Sequence, residues 1–249
     1  MKIVVCIKRV PDTEARLRIA DGATTIDPAG VKFVISPYDE YALETALRIR
    51  EARGEGEVVV LALGDAASAE QLRAALAMGA DRAVLLEGEN TPDGLATARA
   101  IAAELGAGGA DLVLTGMKAV DDDQQQVGPM LAELLDLPCI TVVAQLEIHD
   151  RTIIAHREIE GAVEIVEADL PAVVTVTKGE FEPRYPSLKG IMAARKKPLD
   201  QKPAQLGASR IEIRQLGLPP ERPAGKMVGQ GADAVPELVR LLRDEAGVL

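Results

Sequence analysis

The chain has little of what several protein classes depend on. It contains no Trp, two Phe and three Tyr, so aromatics make up 2% of its 249 residues. Nucleic-acid binders use aromatic stacking platforms and a cationic field. This chain has neither, with a formal charge of −11 and a pI of about 4.8. Two cysteines, Cys6 and Cys139, cannot build a disulfide framework and read as buried free thiols of a reducing compartment. The two histidines, His149 and His156, fall in or near turns and read as surface residues rather than a general base or metal ligand. No apolar run approaches the ~18 residues of a membrane span. The first ten residues have too short an apolar run, and no small-residue cleavage site, for a signal peptide. A cytoplasmic location without membrane insertion is therefore expected. P-loop, GxGxxG, HExxH, GxSxG and CxxC patterns are absent, so no catalysis by this chain alone is expected.

What is abundant is aliphatic. A 47% hydrophobic content with so few aromatics implies a core of Ala, Val, Leu and Ile, as in a parallel sheet covered by helices. Buried-strand runs at residues 3–7, 58–63, 83–87 and 112–115 alternate with helical patterns at 41–53 and 66–78. A further helix starts at Thr91, Pro92 and Asp93 and runs to about Leu105, where residues 106–109 break it. This rhythm predicts βαβ units and a doubly wound, mostly parallel α/β sheet. After Pro138 the pattern changes to strands at 140–148, 151–157 and 162–166, an antiparallel meander. Residues 171–178 form one more buried strand. From Glu182 to Pro223 seven prolines and few apolar runs predict an extended C-terminal arm that folds against another subunit, with one helix at 234–245 after the possible cap Asp233. The expected division is an α/β domain over 1–200 and an arm over 201–249.

Open α/β sheets bind ligands at the carboxyl ends of their strands, and three unusual segments fall there. The first is residues 6–12, from Cys6 through Lys8 and Arg9. The second is Ser36, Pro37, Tyr38, Asp39 and Glu40, which also reads as a simple helix start. The third is Gly116, Met117, Lys118, Ala119, Val120, Asp121, Asp122, Asp123, Gln124, Gln125, Gln126 and Val127, with a helix expected from near Gln124. Three consecutive Asp admit three readings: a Mg²⁺ site, acids capping the helix, or a nucleotide clamp of backbone N–H groups and a helix N-terminus. The clamp must rely on backbone donors, because a carboxylate facing a phosphate repels it.

A fourth segment begins at Glu182. From Arg184 to Lys202 six basic residues face one acid, Asp200, a local charge of +5 in an acidic chain. Leu188, Ile191 and Met192 interrupt the charges, which gives an apolar anchor with a cationic surround. That is the form of a protein-docking surface. A solvated basic turn is the plainer reading.

Together these segments resemble the electron transfer flavoprotein β subunits. The resemblance spans nearly the whole chain: VVCIKRVPDT at 4–13, VISPYDEYALETAL at 34–47, RAALAMGADRA at 73–83, DLVLTGMKAVDDDQQQVGP at 111–129 and EPRYPSLKGIMAARKK at 182–197, in order.

The resemblance implies an α/β fold related to adenine nucleotide α-hydrolase-like proteins, paired with an α subunit that holds most of a redox FAD. It implies a structural AMP in this chain, contacted by Cys6, Ser36, Pro37, Tyr38, Asp39, Leu63 and the Gly116–Val127 segment. It implies a partner-recognition segment of Arg184, Tyr185, Pro186, Ser187, Leu188, Lys189, Gly190, Ile191, Met192 and Ala193, with Leu188 as the anchor. The implied partners are flavin dehydrogenases such as acyl-CoA dehydrogenases, and a membrane quinone oxidoreductase. A bifurcating branch binds a second FAD in place of AMP and uses NADH as donor. Its loop motif is matched here at Gln126, Val127, Gly128 and Pro129, but the Gly and Thr that precede them in that branch are missing. The rival outside this family is an ATP-hydrolysing or adenylating enzyme, whose Gly-rich loop after the first strand is absent.

Overall fold

A computed structural model describes residues 1–22, 24–88, 93–221 and 224–249. Thr91 and Pro92 of the expected helix start, and Pro223, lie outside these residues. The chain forms two units, Met1–Gln215 and Leu216–Leu249.

The strands of the first unit are β1 (Lys2–Cys6), β2 (Arg9–Pro11), β3 (Phe33–Ile35), β4 (Glu57–Gly64), β5 (Arg82–Glu87), β6 (Leu112–Gly116), β7 (Cys139–His149), β8 (Thr152–Ile159), β9 (Ala162–Asp169), β10 (Ala172–Val176) and β11 (Leu199–Pro203). Its α-helices are α1 (Pro37–Arg53), α2 (Ala69–Met78), α3 (Gly94–Gly108), α4 (Val127–Leu135) and α5 (Leu188–Ala194). Nine strands make one sheet in the order β11-β5-β4-β1-β6-β10-β7-β8-β9. Every pairing from β11 to β7 is parallel, and β7-β8-β9 is antiparallel. The expected doubly wound sheet with an appended meander is what forms.

Alternation along the strands builds the two core layers. Ile3 and Val5 of β1 pack with Leu43 and Leu47 of α1 and Leu72 and Leu76 of α2. Val4 and Cys6 turn to the other face, against Ile101 and Leu105 of α3 and Leu131 of α4. From β1 the chain first builds outward through β4 and β5, then returns to place β6 on β1's other side. The reversal puts a switch point between β1 and β6, the place where open α/β sheets hold ligands in a crevice outside the carboxyl ends of the strands.

Several local expectations are corrected. Gly106 stays within α3, which ends only at the Gly109 cap. Residues 66–78 divide into a 3₁₀ turn, Ala66–Ser68, followed by α2. Helix α4 begins at Val127, not near Gln124, because Asp123 and Gln125 take positive φ angles of 51° and 55° that no helix continues. Cys139 is exposed, at the start of a strand next to the antiparallel edge, whereas Cys6 is buried. The short helix α5 and the edge strand β11 lie where no elements were expected. In the second unit a 3₁₀ turn, Ala232–Ala234, leads into α6 (Val235–Asp244); Ala234 occupies the N-cap, so Asp233 does not. Among the described residues no helix is long and apolar enough to cross a membrane.

Candidate functional site

Asp39 closes the switch point. It sits in the first turn of α1 and is buried. One carboxylate oxygen accepts the Lys8 backbone N–H at 2.8 Å, just past β1, and the other accepts the Gly116 N–H at 2.9 Å, at the end of β6. One side chain thus ties together all three strand-end segments singled out in the sequence. Burial pushes its carboxyl up to about 7, against the pull of those two N–H groups and Lys8. Gly116 leaves no room for anything larger: a Cβ there would meet Asp39 Oδ1 at 2.4 Å and Tyr38 Cβ at 2.8 Å.

The acidic loop is neutralised from within the chain. Lys8 Nζ pairs with Asp121 at 2.9 Å and Asp122 at 2.8 Å, and Lys118 Nζ pairs with Asp123 at 3.0 Å. Burial pulls the Lys8 ammonium down, but the two aspartates outweigh it and raise it. The acids do not cap α4, since its N-cap is Gln126 and no side chain caps it. Among the described residues no side chain meets the first N–H groups of α4, the kind of helix start that accepts an anion. Among the described residues no group of three or more His, Cys, Asp or Glu could hold a metal ion, which gives the Mg²⁺ reading no support.

The remaining residues named for this site line the same end of the sheet. Cys6 ends β1, paired in register with Leu61 of β4 and Thr115 of β6. Burial and the nearby Asp39 push its thiol up to about 12, so it is an inert apolar wall. Leu63 lies two residues beyond Leu61 on β4, and Pro37 opens α1. The Tyr38 ring lies 5.9 Å from Lys118 Nζ. Ser36 is wholly buried at the N-cap of α1, yet its hydroxyl caps nothing and meets no hydrogen-bond partner among the described residues. A buried hydroxyl without a partner is costly, so Ser36 suits a ligand that supplies one.

The fourth segment is separate from this crevice. Ser187 caps α5, accepting the Gly190 N–H at 3.0 Å. Tyr185, Leu188 and Met192 are 96%, 83% and 72% exposed, an apolar face uncovered by the described residues of its own unit. The basic run around it is not all surface. Lys197 turns inward and donates to the carbonyls of Leu76 and Ala80 at 3.0 and 2.5 Å, closing the end of α2. Desolvation lowers its ammonium below the ordinary range.

Sequence reasoning missed Glu44. It is 1% exposed on α1 and takes Arg48 and Arg184 on its two oxygens. The signal was a carboxylate beside the apolar positions Leu43, Ala46 and Leu47, one helical turn before Arg48. Arg9, stacked 3.5 Å above the Phe33 ring centroid, was seen only as part of a segment.

A mostly parallel sheet whose order reverses between β1 and β6 defines a doubly wound α/β protein. A family model of the electron transfer flavoprotein domain matches residues 23–206. The chain is 41% identical over 263 residues to the electron transfer flavoprotein subunit beta of Bacillus subtilis (strain 168), covering all of both chains. It is 38% identical over 249 residues, again end to end, to the subunit beta of Bradyrhizobium diazoefficiens. It is 37% identical over 243 residues, 92% of each chain, to the caffeyl-CoA reductase-Etf complex subunit CarD of Acetobacterium woodii. The chain belongs to the electron transfer flavoprotein β-subunit family, and its role is electron transfer.

Proposed function

We propose that this chain is the nucleotide-holding, partner-docking subunit of a heterodimeric electron transfer flavoprotein. In this reading it carries electrons from flavin dehydrogenases, such as acyl-CoA dehydrogenases, to a membrane quinone oxidoreductase. The FAD, held mainly by the α subunit, supplies the redox chemistry when bound. This chain has no catalytic residue of its own; its residues orient, exclude water and dock. A structural AMP occupies the crevice of Asp39 and Gly116, with the phosphate toward the uncapped start of α4 and Ser36 donating or accepting one hydrogen bond. The Leu188 face meets the dehydrogenase. Residues 201–249 form the arm that packs on the α subunit, in keeping with the exposed Val235 and Leu238 of α6. The location is the cytoplasm, where Cys6 and Cys139 stay reduced.

The observation that carries the nucleotide assignment is the buried, unpartnered Ser36 hydroxyl, three residues before the carboxylate that holds the switch point. The lysine pairing of all three aspartates supports it, because the loop no longer sets three free charges against a phosphate. A second reading places FAD in this crevice and NADH as donor. The Gln126–Pro129 match favours it, together with the relative named as a subunit of the caffeyl-CoA reductase-Etf complex. Denaturing the purified heterodimer and identifying the released nucleotides decides between them. One FAD with one AMP is expected; two FAD favours the second reading, and one FAD alone overturns the nucleotide site.

A further inference from the structure

The docking segment is mounted on the domain at both ends, and the mounts are made by charged groups that do not belong to its exposed face. At the front stands Arg184, immediately before Tyr185. Its guanidinium donates to Glu44 through Nε at 2.7 Å and Nη2 at 2.9 Å, and to Glu51 through Nη1 at 2.6 Å and Nη2 at 3.0 Å. Its backbone N–H adds a further bond to Glu44 at 3.2 Å. Burial pushes Glu44 up, but the bonds from Arg184 and Arg48 outweigh it and hold the carboxyl below its ordinary value. The two carboxylates raise the guanidinium above an already high value.

At the rear the caps are reciprocal. Arg73 of α2 donates to the Ala194 and Lys197 carbonyls at 2.7 and 2.8 Å, closing the end of α5, while Lys197 closes the end of α2. Between the mounts the backbones touch. A Cβ at Gly190 would meet the Ala77 carbonyl oxygen at 2.4 Å, so α5 rides directly on α2.

We infer that Arg184 is the positioning residue of this docking surface. It does not meet the partner; it fixes the take-off of the chain so that Tyr185, Leu188 and Met192 are presented in one arrangement before docking. The inference rests on the reading of this segment as the dehydrogenase-docking surface. A seven-residue helix with three bulky apolar side chains in water gains nothing by itself from holding them out. Four guanidinium bonds to two carboxylates, one of them buried, fix a planar fork in a way a single ammonium cannot. A surface ordered in advance loses less conformational freedom on binding, and that difference appears in affinity rather than in the chemistry of the bound state.

The test uses the full heterodimer with its cofactors and a substrate-reduced acyl-CoA dehydrogenase as donor, comparing Leu188→Ala, Arg184→Gln, Arg184→Lys and Glu51→Gln. The expected result is a KM for the dehydrogenase raised roughly tenfold by Arg184→Gln, with kcat within about twofold of the parent and flavin content unchanged. Arg184→Lys and Glu51→Gln, each keeping part of the fork, fall between. If Leu188→Ala raises KM but the Arg184 and Glu51 variants do not, the positioning role is wrong and the docking reading stands. If Leu188→Ala leaves KM unchanged, the docking reading fails first. A loss of kcat and flavin together in Arg184→Gln, repeated in the milder Glu51→Gln, makes the fork a fold element only and overturns the inference.

Discussion

The Asp39 carboxylate and the Gly116 amide meet at 2.9 Å across the switch point of the sheet, and the approach is close enough that a side chain at 116 would collide with Asp39. Asp39 comes from the first turn of a helix, Gly116 from the end of a strand 77 residues later. The contact closes the crevice on which the nucleotide assignment rests.

Gly116→Ala tests the fit. The added methyl lies inside contact distance of Asp39 Oδ1, Tyr38 Cβ and the Asp39 backbone nitrogen, so α1 must shift away from β6. We expect a stability loss of about 1–3 kcal/mol, the usual cost of forcing an extra methyl into a packed site. Urea denaturation measures it, and an unchanged midpoint refutes the close approach.

The Asp39 carboxyl gives a pH dependence. Burial raises it from an ordinary 3.8 to about 7. Between those values the folded chain holds a proton that the unfolded chain has released. This group's contribution to stability therefore falls as pH rises through that window, and levels off above about 7. Asp39→Asn removes the titration, so the variant's stability curve is flatter between these limits. It also replaces one of two acceptor oxygens by a donor, leaving one backbone N–H unmet at a cost of about 1–3 kcal/mol. Parallel slopes for parent and variant in denaturation across this range contradict the assignment.

Lys8 separates the loop's own stability from its ligand affinity. Lys8→Met frees Asp121 and Asp122, which are partly exposed and turn toward solvent, so the loss of stability stays below about 1 kcal/mol. Two uncompensated negative charges then remain in the loop beside the proposed phosphate, and AMP affinity falls roughly tenfold at low salt, less as salt screens the charges. Calorimetric titration of the AMP-stripped heterodimer gives the number; an affinity equal to that of the parent removes the phosphate from this end of the crevice.

Leu188→Ala addresses the docking face. Leu188 is 83% exposed, so thermal stability and nucleotide content stay as in the parent. Electron transfer from the dehydrogenase is expected to be largely lost, as for an anchor residue. Stopped-flow reduction of the heterodimer reads this directly, and full retained transfer sinks the docking assignment.

Much of this arrangement was legible in the order of residues. Aliphatic runs alternating with helical patterns specify βαβ units, because a strand buried on both faces has to be continuously apolar and its covering helix has to carry a stripe. The segments at 36–40 and 116–127 fell at strand ends, where such sheets bind ligands, and the family was readable from motifs in order. Those features are local, repeating every two to four residues, and survive without knowledge of partners.

The tertiary structure alone decided which charges are used up inside the chain. Three aspartates in a row look like a metal site or a helix cap until Lys8 is brought against Asp121 and Asp122 from the end of β1, and Lys118 of the same loop folds onto Asp123. Arg184, Lys197 and Glu44 look like surface charge until two of them prove to hold the docking segment from below and the third to receive it. A charge's role depends on its partner, and for Lys8, Arg184 and Lys197 the partners lie some 110 to 140 residues away. Sequence determined where the loops at the strand ends are; folding decided which of their charges are paired within the chain.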